Sequence, residues 1–219
     1  MTGMAPAFAQ LDRITSKEAT SGLKAALEKG SAAAVSSLGR TDGFFANPEV
    51  KIPLPAPLQR AEKVMRRFGM GRHADELILT LNRAAEAAVP EARQLFIESV
   101  RKMTVQDAKA ILQGGDTSGT EYFRRSTEGE LRKRFLPIVQ QATQRVGLAR
   151  QYENYADKGV VLGVVKKEDA DLDGYVTQKT LDGLFLVLGE EEKKIRKDPI
   201  GAGTSIIRKV FGALQPVRR

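Results

Sequence analysis

The longest segment with a broad apolar face runs from Thr177 to Arg196, and its periodicity predicts a helix. Leu186 and Val187 widen the apolar face, so we expect neighbouring helices to cover more than one side of it. Thr177 is placed to cap the start, and Pro199 prevents continuation past the end. We therefore predict that this helix lies at the centre of the core. Its core positions are Leu181, Leu184, Phe185, Leu188 and Ile195.

Helical periodicity continues through most of the remaining chain. Thr15 and Glu18 have the spacing of a capping box and open an amphipathic helix that ends near Gly39. Segments with one apolar face predict further helices, over residues 58–70, 72–88, 91–103, 104–113 and 204–214. The pattern predicts an all-α fold, a single-domain bundle of about eight to ten helices.

The segment after Gly115 is predicted to hold two separate helices. Asp116, Thr117 or Ser118 can cap a short first helix. Thr127 and Glu130 form a second capping box, which predicts that a new helix starts after Ser126.

Residues 41–57 interrupt the helical pattern. Four prolines at this density disfavour a helix and favour an extended path. The apolar residues between them are too many for a solvated linker, so we expect an ordered Pro-rich strap lying across helices. These residues are Phe44, Phe45, Val50, Ile52 and Leu54.

The two ends of the chain are predicted to lie outside the folded domain. Ala7-Phe8-Ala9 has the small-x-small pattern that signal peptidase reads, although no charged or long apolar region precedes it. We expect residues 1–14 to be a flexible N-terminus or a signal-peptide remnant, 15–214 a single helical domain and 215–219 a basic tail. The alternative is a cytoplasmic protein that starts at Met1. No apolar run approaches the roughly 20 residues of a membrane span, so no transmembrane segment is expected.

Composition excludes several kinds of site. The chain has no cysteine and one histidine, His73, which excludes thiolate chemistry and any site that needs two imidazoles from one chain. The net charge is +8, which suggests nucleic acid or an anionic surface as an alternative partner. Basic residues are spread along the sequence among acidic ones, so we interpret even the densest group as a solvated helix face and do not favour nucleic acid. That group comprises Arg60, Lys63, Arg66, Arg67 and Arg72.

Six blocks of the sequence together resemble a known family. They read LKAALEKGSAAAVSSLG, DGFFANPEVKIPLP, ELILTLNRAAEAAVPEA, AKAILQGGDTSGTEYFRR, YVTQKTLDGLFLVLGEEEKKIRKDP and IIRKVFG. In order and spacing they resemble the bacterial domain-of-unknown-function family 4197. The resemblance implies an all-helical protein without a known activity, cofactor or catalytic residue. Members usually begin with an export signal, which favours export to the periplasm for this chain.

An aspartate-rich segment offers the chain's candidate metal ligands. Asp169, Asp171 and Asp173, followed by Gly174, match the first positions of an EF-hand loop. The twelfth position is Thr180, so the bidentate glutamate that closes such a loop is missing. We therefore predict no metal site, and interpret the aspartates as favourable charges at a helix N-terminus.

The predicted ligand site is the turn between Gly114 and Thr127. Two predicted helix starts would offer backbone N–H groups and positive dipole ends to a small anionic ligand, and two arginines follow closely. In the alternative, Arg124 and Arg125 only pair with Glu121 and Glu128. The candidate ligand-binding residues are Thr117, Ser118, Tyr122, Arg124, Arg125 and Thr127.

We identify no catalytic residues. The sequence contains no Gly-x-Ser-x-Gly elbow and no metalloprotease motif, and the three glutamates 190–192 lie among lysines, as at a solvated helix end. We therefore expect a binding or structural protein that needs no cofactor. The alternative is an enzyme of unrecognised, hydrolase-like type.

Overall fold

A computed structural model of the chain describes residues 15–67, 69, 71–144, 171–201 and 204–213. These residues form an all-helical fold, and none of them lies in a strand. The α-helices are α1 Ser16–Leu38, α2 Ala56–Arg67, α3 Gly71–Ala88, α4 Ala92–Lys102, α5 Val105–Gln113, α6 Ser118–Thr143, α7 Leu172–Lys197 and α8 Ser205–Ala213. A short 3-10 helix, Val89–Glu91, precedes α4. Within these ranges no helix is both long and apolar enough to cross a bilayer.

The chain divides into two compact units. The first unit comprises Met1–Ala34, Arg93–Thr127 and Val187–Arg219, and the second comprises Val35–Ala92 and Glu128–Leu186. Helices α1, α6 and α7 each contribute residues to both units. The predicted division into 1–14, 15–214 and 215–219 remains a prediction, because both ends lie outside the described residues.

The first unit packs the start of α1 against α8. Gly22 permits this close approach, because a Cβ atom there would lie 2.5 Å from Cγ2 of Val210. The capping box predicted at Thr15 and Glu18 is confirmed, and Glu18 Oε1 also accepts a hydrogen bond from Nζ of Lys209 in α8, at 2.6 Å. Side chains from α1 and α8 therefore meet both in the core and at the surface.

The second unit holds the predicted strap on α3 through two polar side chains. Asn82 Oδ1 accepts from the N–H of Ile52 at 2.8 Å, and Nδ2 donates to the carbonyl of Ile52 at 2.9 Å. One turn later, Glu86 Oε1 accepts from the N–H groups of Phe44 and Phe45. The strap is less extended than predicted, because residues 41–46 and 48–50 form turns with their own backbone hydrogen bonds. The side chains of Asn82 and Glu86 supply partners for backbone groups that these turns leave unpaired. The apolar side chains predicted to hold the strap are buried, except Phe45, which is half-buried.

Helix α7 differs from its predicted start. It begins at Leu172, so Thr177 lies inside the helix, is 1 % exposed and does not cap it. The cap is Asp171, whose Oδ1 accepts from the N–H of Gly174 at 2.8 Å. The five predicted core residues of α7 are buried as expected, but Leu186 is exposed, so the covered face is narrower than predicted.

Two of the helices predicted from the sequence are a single helix in the structure. Helix α6 continues without interruption from Ser118 to Thr143, and no helix starts after Ser126. Thr127 is buried within α6, where its hydroxyl donates to the carbonyl of Phe123 at 2.7 Å. Its hydroxyl is therefore satisfied inside the helix and forms no capping box with Glu130.

Candidate functional site

The turn predicted as an anion site contains one helix N-terminus instead of two. Helix α6 begins at Ser118, after the loop that starts at Gly114. Ser118 folds back on the loop, because its N–H and hydroxyl both donate to the carbonyl of Gly115. Thr117 precedes the helix and its carbonyl accepts from the N–H of Glu121. The next N–H groups, of Gly119 and Thr120, are the ones an anion would use.

These two N–H groups bind a carboxylate of the chain itself. The N–H of Gly119 donates to Glu192 Oε1 at 2.9 Å, and the N–H and hydroxyl of Thr120 donate to Oε2 at 2.7 and 2.9 Å. Glu192 is 7 % exposed, so the prediction that this glutamate lies at a solvated helix end is wrong. The positive end of α6 is therefore neutralised internally.

Arg196 completes this cluster by pairing with the buried glutamate. Its Nε and Nη2 both donate to Glu192 Oε1, at 3.0 and 2.8 Å, and Nη2 also donates to the carbonyl of Ile111. The guanidinium lies over the ring of Phe211 in α8, 5.6 Å from its centroid. One ion pair thus joins α5, α6, α7 and α8, which gives Glu192 and Arg196 a structural role in the first unit.

The other residues of the predicted site do not converge on one point. The hydroxyl of Tyr122 donates to the carbonyl of Ser99 at 3.0 Å, and Thr127 bonds within α6. Arg124 is half-buried and Arg125 is exposed. The positive charge of Arg125 helps to hold the pKa of Asp107 below its usual range, after the larger effect of hydrogen bonds from Thr104. Binding of an anion at this turn remains a prediction.

Two of the three candidate metal ligands act at the start of α7. Asp171 caps the helix, and Asp173 Oδ1 accepts from the hydroxyl of Thr143 at 2.6 Å. Partial burial raises the pKa of Asp173. Asp169 lies outside the described residues. Because the helix begins at Leu172, the residues from there to Thr180 are helical and do not form a cation-binding loop.

One member of the basic group that begins on α2, Arg66, has two acidic partners. Arg66 pairs with Glu62 at 2.8 Å and also with Asp75. The hydrogen bond with Asp75, and then the one with Glu62, raise the pKa of Arg66 above its usual value. Lys63, Arg67 and Arg72 are exposed. Arg66 is therefore paired within the protein, and the other three side chains lie on its solvated surface.

An open groove lies between α1 and α4 in the first unit. Its volume is about 320 Å³, within the range of small-molecule sites. Arg93, Ile97 and Arg101 line it from α4, and Glu28, Ser31 and Ala32 line it from α1. This groove was not predicted from the sequence. The available signal was the four-residue spacing of Arg93, Ile97 and Arg101, which places them on one face of a helix.

The two walls of the groove run in opposite directions. Nζ of Lys24 on α1 donates to the carbonyl of Arg101, near the end of α4, at 3.4 Å. From this contact, four-residue steps forward along α1 and backward along α4 place Glu28 beside Ile97 and Ala32 beside Arg93. The groove therefore has an arginine at each end and an apolar residue beside a carboxylate at its middle.

Comparison with known proteins identifies the family. A family model described as "Protein of unknown function (DUF4197)" matches residues 13–212, which is most of the chain. No curated protein and no solved structure matches. The six blocks and this match agree, and the chain belongs to the DUF4197 family.

Proposed function

We propose that this protein is an exported, non-catalytic binding protein that holds a small organic anion in the groove between α1 and α4. The observation that carries the proposal is the face formed by Arg93, Ile97 and Arg101. Guanidinium groups bind carboxylates and phosphates through paired hydrogen bonds, and Ile97 offers apolar contact to the rest of a ligand. A binding role also accords with the helical scaffold, which presents the two arginines on one rigid helix.

The groove is a better candidate than the start of α6. There, Glu192 already accepts the N–H groups of Gly119 and Thr120, so an external anion would have to displace a buried carboxylate. That displacement would leave Arg196 without its partner and is costly. None of the cluster residues Thr120, Glu192 and Arg196 lines the groove. Its opening to solvent also allows a ligand to enter without unfolding.

A thermal-shift screen with monocarboxylates, dicarboxylates and phosphate monoesters tests the proposal. We expect at least one anion to raise the melting temperature of the parent protein, since a ligand that binds only the folded state stabilises it. Arg101→Ala should lose that rise, whereas Arg125→Ala, a matched change on α6 at a residue of the site predicted from the sequence, should keep it. The opposite pattern would place the site at the turn. Absence of any rise with the parent protein would overturn the proposed function.

Export is the second part of the proposal. It is supported by Ala7-Phe8-Ala9 and by the resemblance to a family whose members usually begin with an export signal. The expected mature N-terminus is near Gln10. Cell fractionation with N-terminal sequencing of the purified protein tests this. A cytoplasmic protein that retains Met1 would contradict it.

A further inference from the structure

The charge pattern of the groove restricts the ligand that it can hold. Arg93 and Arg101 are eight residues apart on α4, so their Cα atoms are separated by about 12 Å along the helix axis. Lys24 adds a third cation at the Arg101 end. Between the two ends, Ile97 lies beside Glu28. The sequence of charges along the groove is thus positive, negative and positive.

We infer that the ligand is an elongated dianion with a carboxylate at each end and an uncharged, apolar middle. This inference rests on the proposed function. Each terminal carboxylate would accept hydrogen bonds from one arginine. The middle of the ligand would pack on Ile97, which presents only apolar side-chain atoms. A third negative charge at the middle would be repelled by Glu28, so this residue selects against trianions.

The small residues of α1 make room for such a ligand. Ala32 is exposed beside Arg93, and the hydroxyl of Ser31 is turned to the carbonyl of Glu28, to which it donates at 3.1 Å. Neither side chain extends far into the groove. A straight alkyl chain can therefore lie along α4 between the two guanidinium groups.

Isothermal titration with octanedioate and octanoate tests the inference directly. The two probes share their chain length and differ in the second carboxylate. We expect octanedioate to bind the parent protein at least about tenfold more tightly than octanoate, because the second carboxylate adds a charge-assisted hydrogen bond. Arg93→Ala and Arg101→Ala should each reduce octanedioate affinity to about the level of octanoate. Lys102→Ala removes a neighbouring cation that lies on the same helix but outside the groove. This variant should keep the octanedioate affinity of the parent protein.

The outcomes separate the two claims. Equal affinities for the two probes, or an Arg93→Ala variant that binds octanedioate as the parent does, would overturn the dianion inference and leave the proposed function intact. Binding of another anion without any binding of octanedioate would also overturn it. If neither probe binds and the thermal-shift screen finds no anion, the proposed function itself fails. Circular dichroism of each variant confirms that the helices are retained.

Discussion

Glu192 and Thr120 are joined by two hydrogen bonds, since the N–H and the hydroxyl of Thr120 both donate to the same carboxylate oxygen, at 2.7 and 2.9 Å. The carboxylate comes from α7 and closes the start of α6. Orphan N–H groups at a helix start need an acceptor, and here a distant side chain supplies it in place of a local cap or a ligand. The N-terminus of α6, which most resembled an anion site, therefore binds a side chain of the first unit and stabilises that unit.

The first prediction concerns the charge of Glu192. Glu192→Gln removes the charge that Arg196 pairs with and presents an NH₂ group to N–H donors, so we expect the free energy of unfolding to fall by about 3 kcal/mol. Urea denaturation at pH 7 measures this. Glu190→Gln is the matched control, because Glu190 pairs with Lys193 at the surface and should cost less than about 0.5 kcal/mol. Equal losses in the two variants would contradict the structural role of Glu192.

The second prediction compares two glycines of α6. A Cβ atom at Gly119 would lie 2.5 Å from Cδ2 of Leu27 and 3.0 Å from Glu192 Oε1, whereas nothing lies within 4 Å at Gly129. Gly119→Ala should therefore destabilise the protein by about 1–3 kcal/mol through overpacking. Gly129→Ala should stabilise it by about 0.5–1 kcal/mol, because alanine loses less conformational freedom in a helix. Thermal unfolding of both variants checks the signs, and a stabilising Gly119→Ala would refute the packing described here.

The third prediction concerns pH and the pair Glu18 and Lys209. Hydrogen bonds from Lys209 and then from Thr15 hold the pKa of Glu18 at about 2, below its ordinary 4.5. A lowered pKa means that the pair stabilises the fold above about pH 4.5 and that this contribution is lost as the pH falls toward 2. Parent and Glu18→Gln should thus differ in urea unfolding at pH 7 and converge in acid. If the difference in stability between the two proteins persists at low pH, the charge of Glu18 is not its source.

Local sequence predicted the helical elements better than their ends. The capping box predicted at Thr15 is confirmed, and the helix predicted from residue 104 begins directly after Thr104, because α4 has already ended before Met103. Thr127 has the same pattern with Glu130, yet α6 passes through it. The difference is that no residue just before Thr127 interrupts α6. The hydroxyl of Thr127 therefore donates to the carbonyl of Phe123, one turn earlier in the same helix. A cap motif predicts a helix start only where the chain upstream is already non-helical.

Burial of Glu192 could not be predicted from its neighbours. Three consecutive glutamates followed by two lysines suggest a solvated helix end, and Glu190 and Glu191 do pair there with lysines. Which of the three glutamates faces inward depends on where α6 begins. The charges of neighbouring residues in the sequence do not contain that information. The groove was missed for the same reason. The spacing of Arg93, Ile97 and Arg101 gives a shared face, but the space beside it depends on which residues of α1 lie opposite.

The most direct test of the binding site is a titration of the isotopically labelled protein with octanedioate, followed by ¹H–¹⁵N correlation spectra. We predict that the N–H signals of Ala32, Arg93, Ile97 and Arg101 move with increasing octanedioate. Those of Gly119 and Thr120 should remain in place, because Glu192 already binds them. Shifts concentrated at Gly119 and Thr120, or no shifts near α4 at saturating probe, would contradict this prediction.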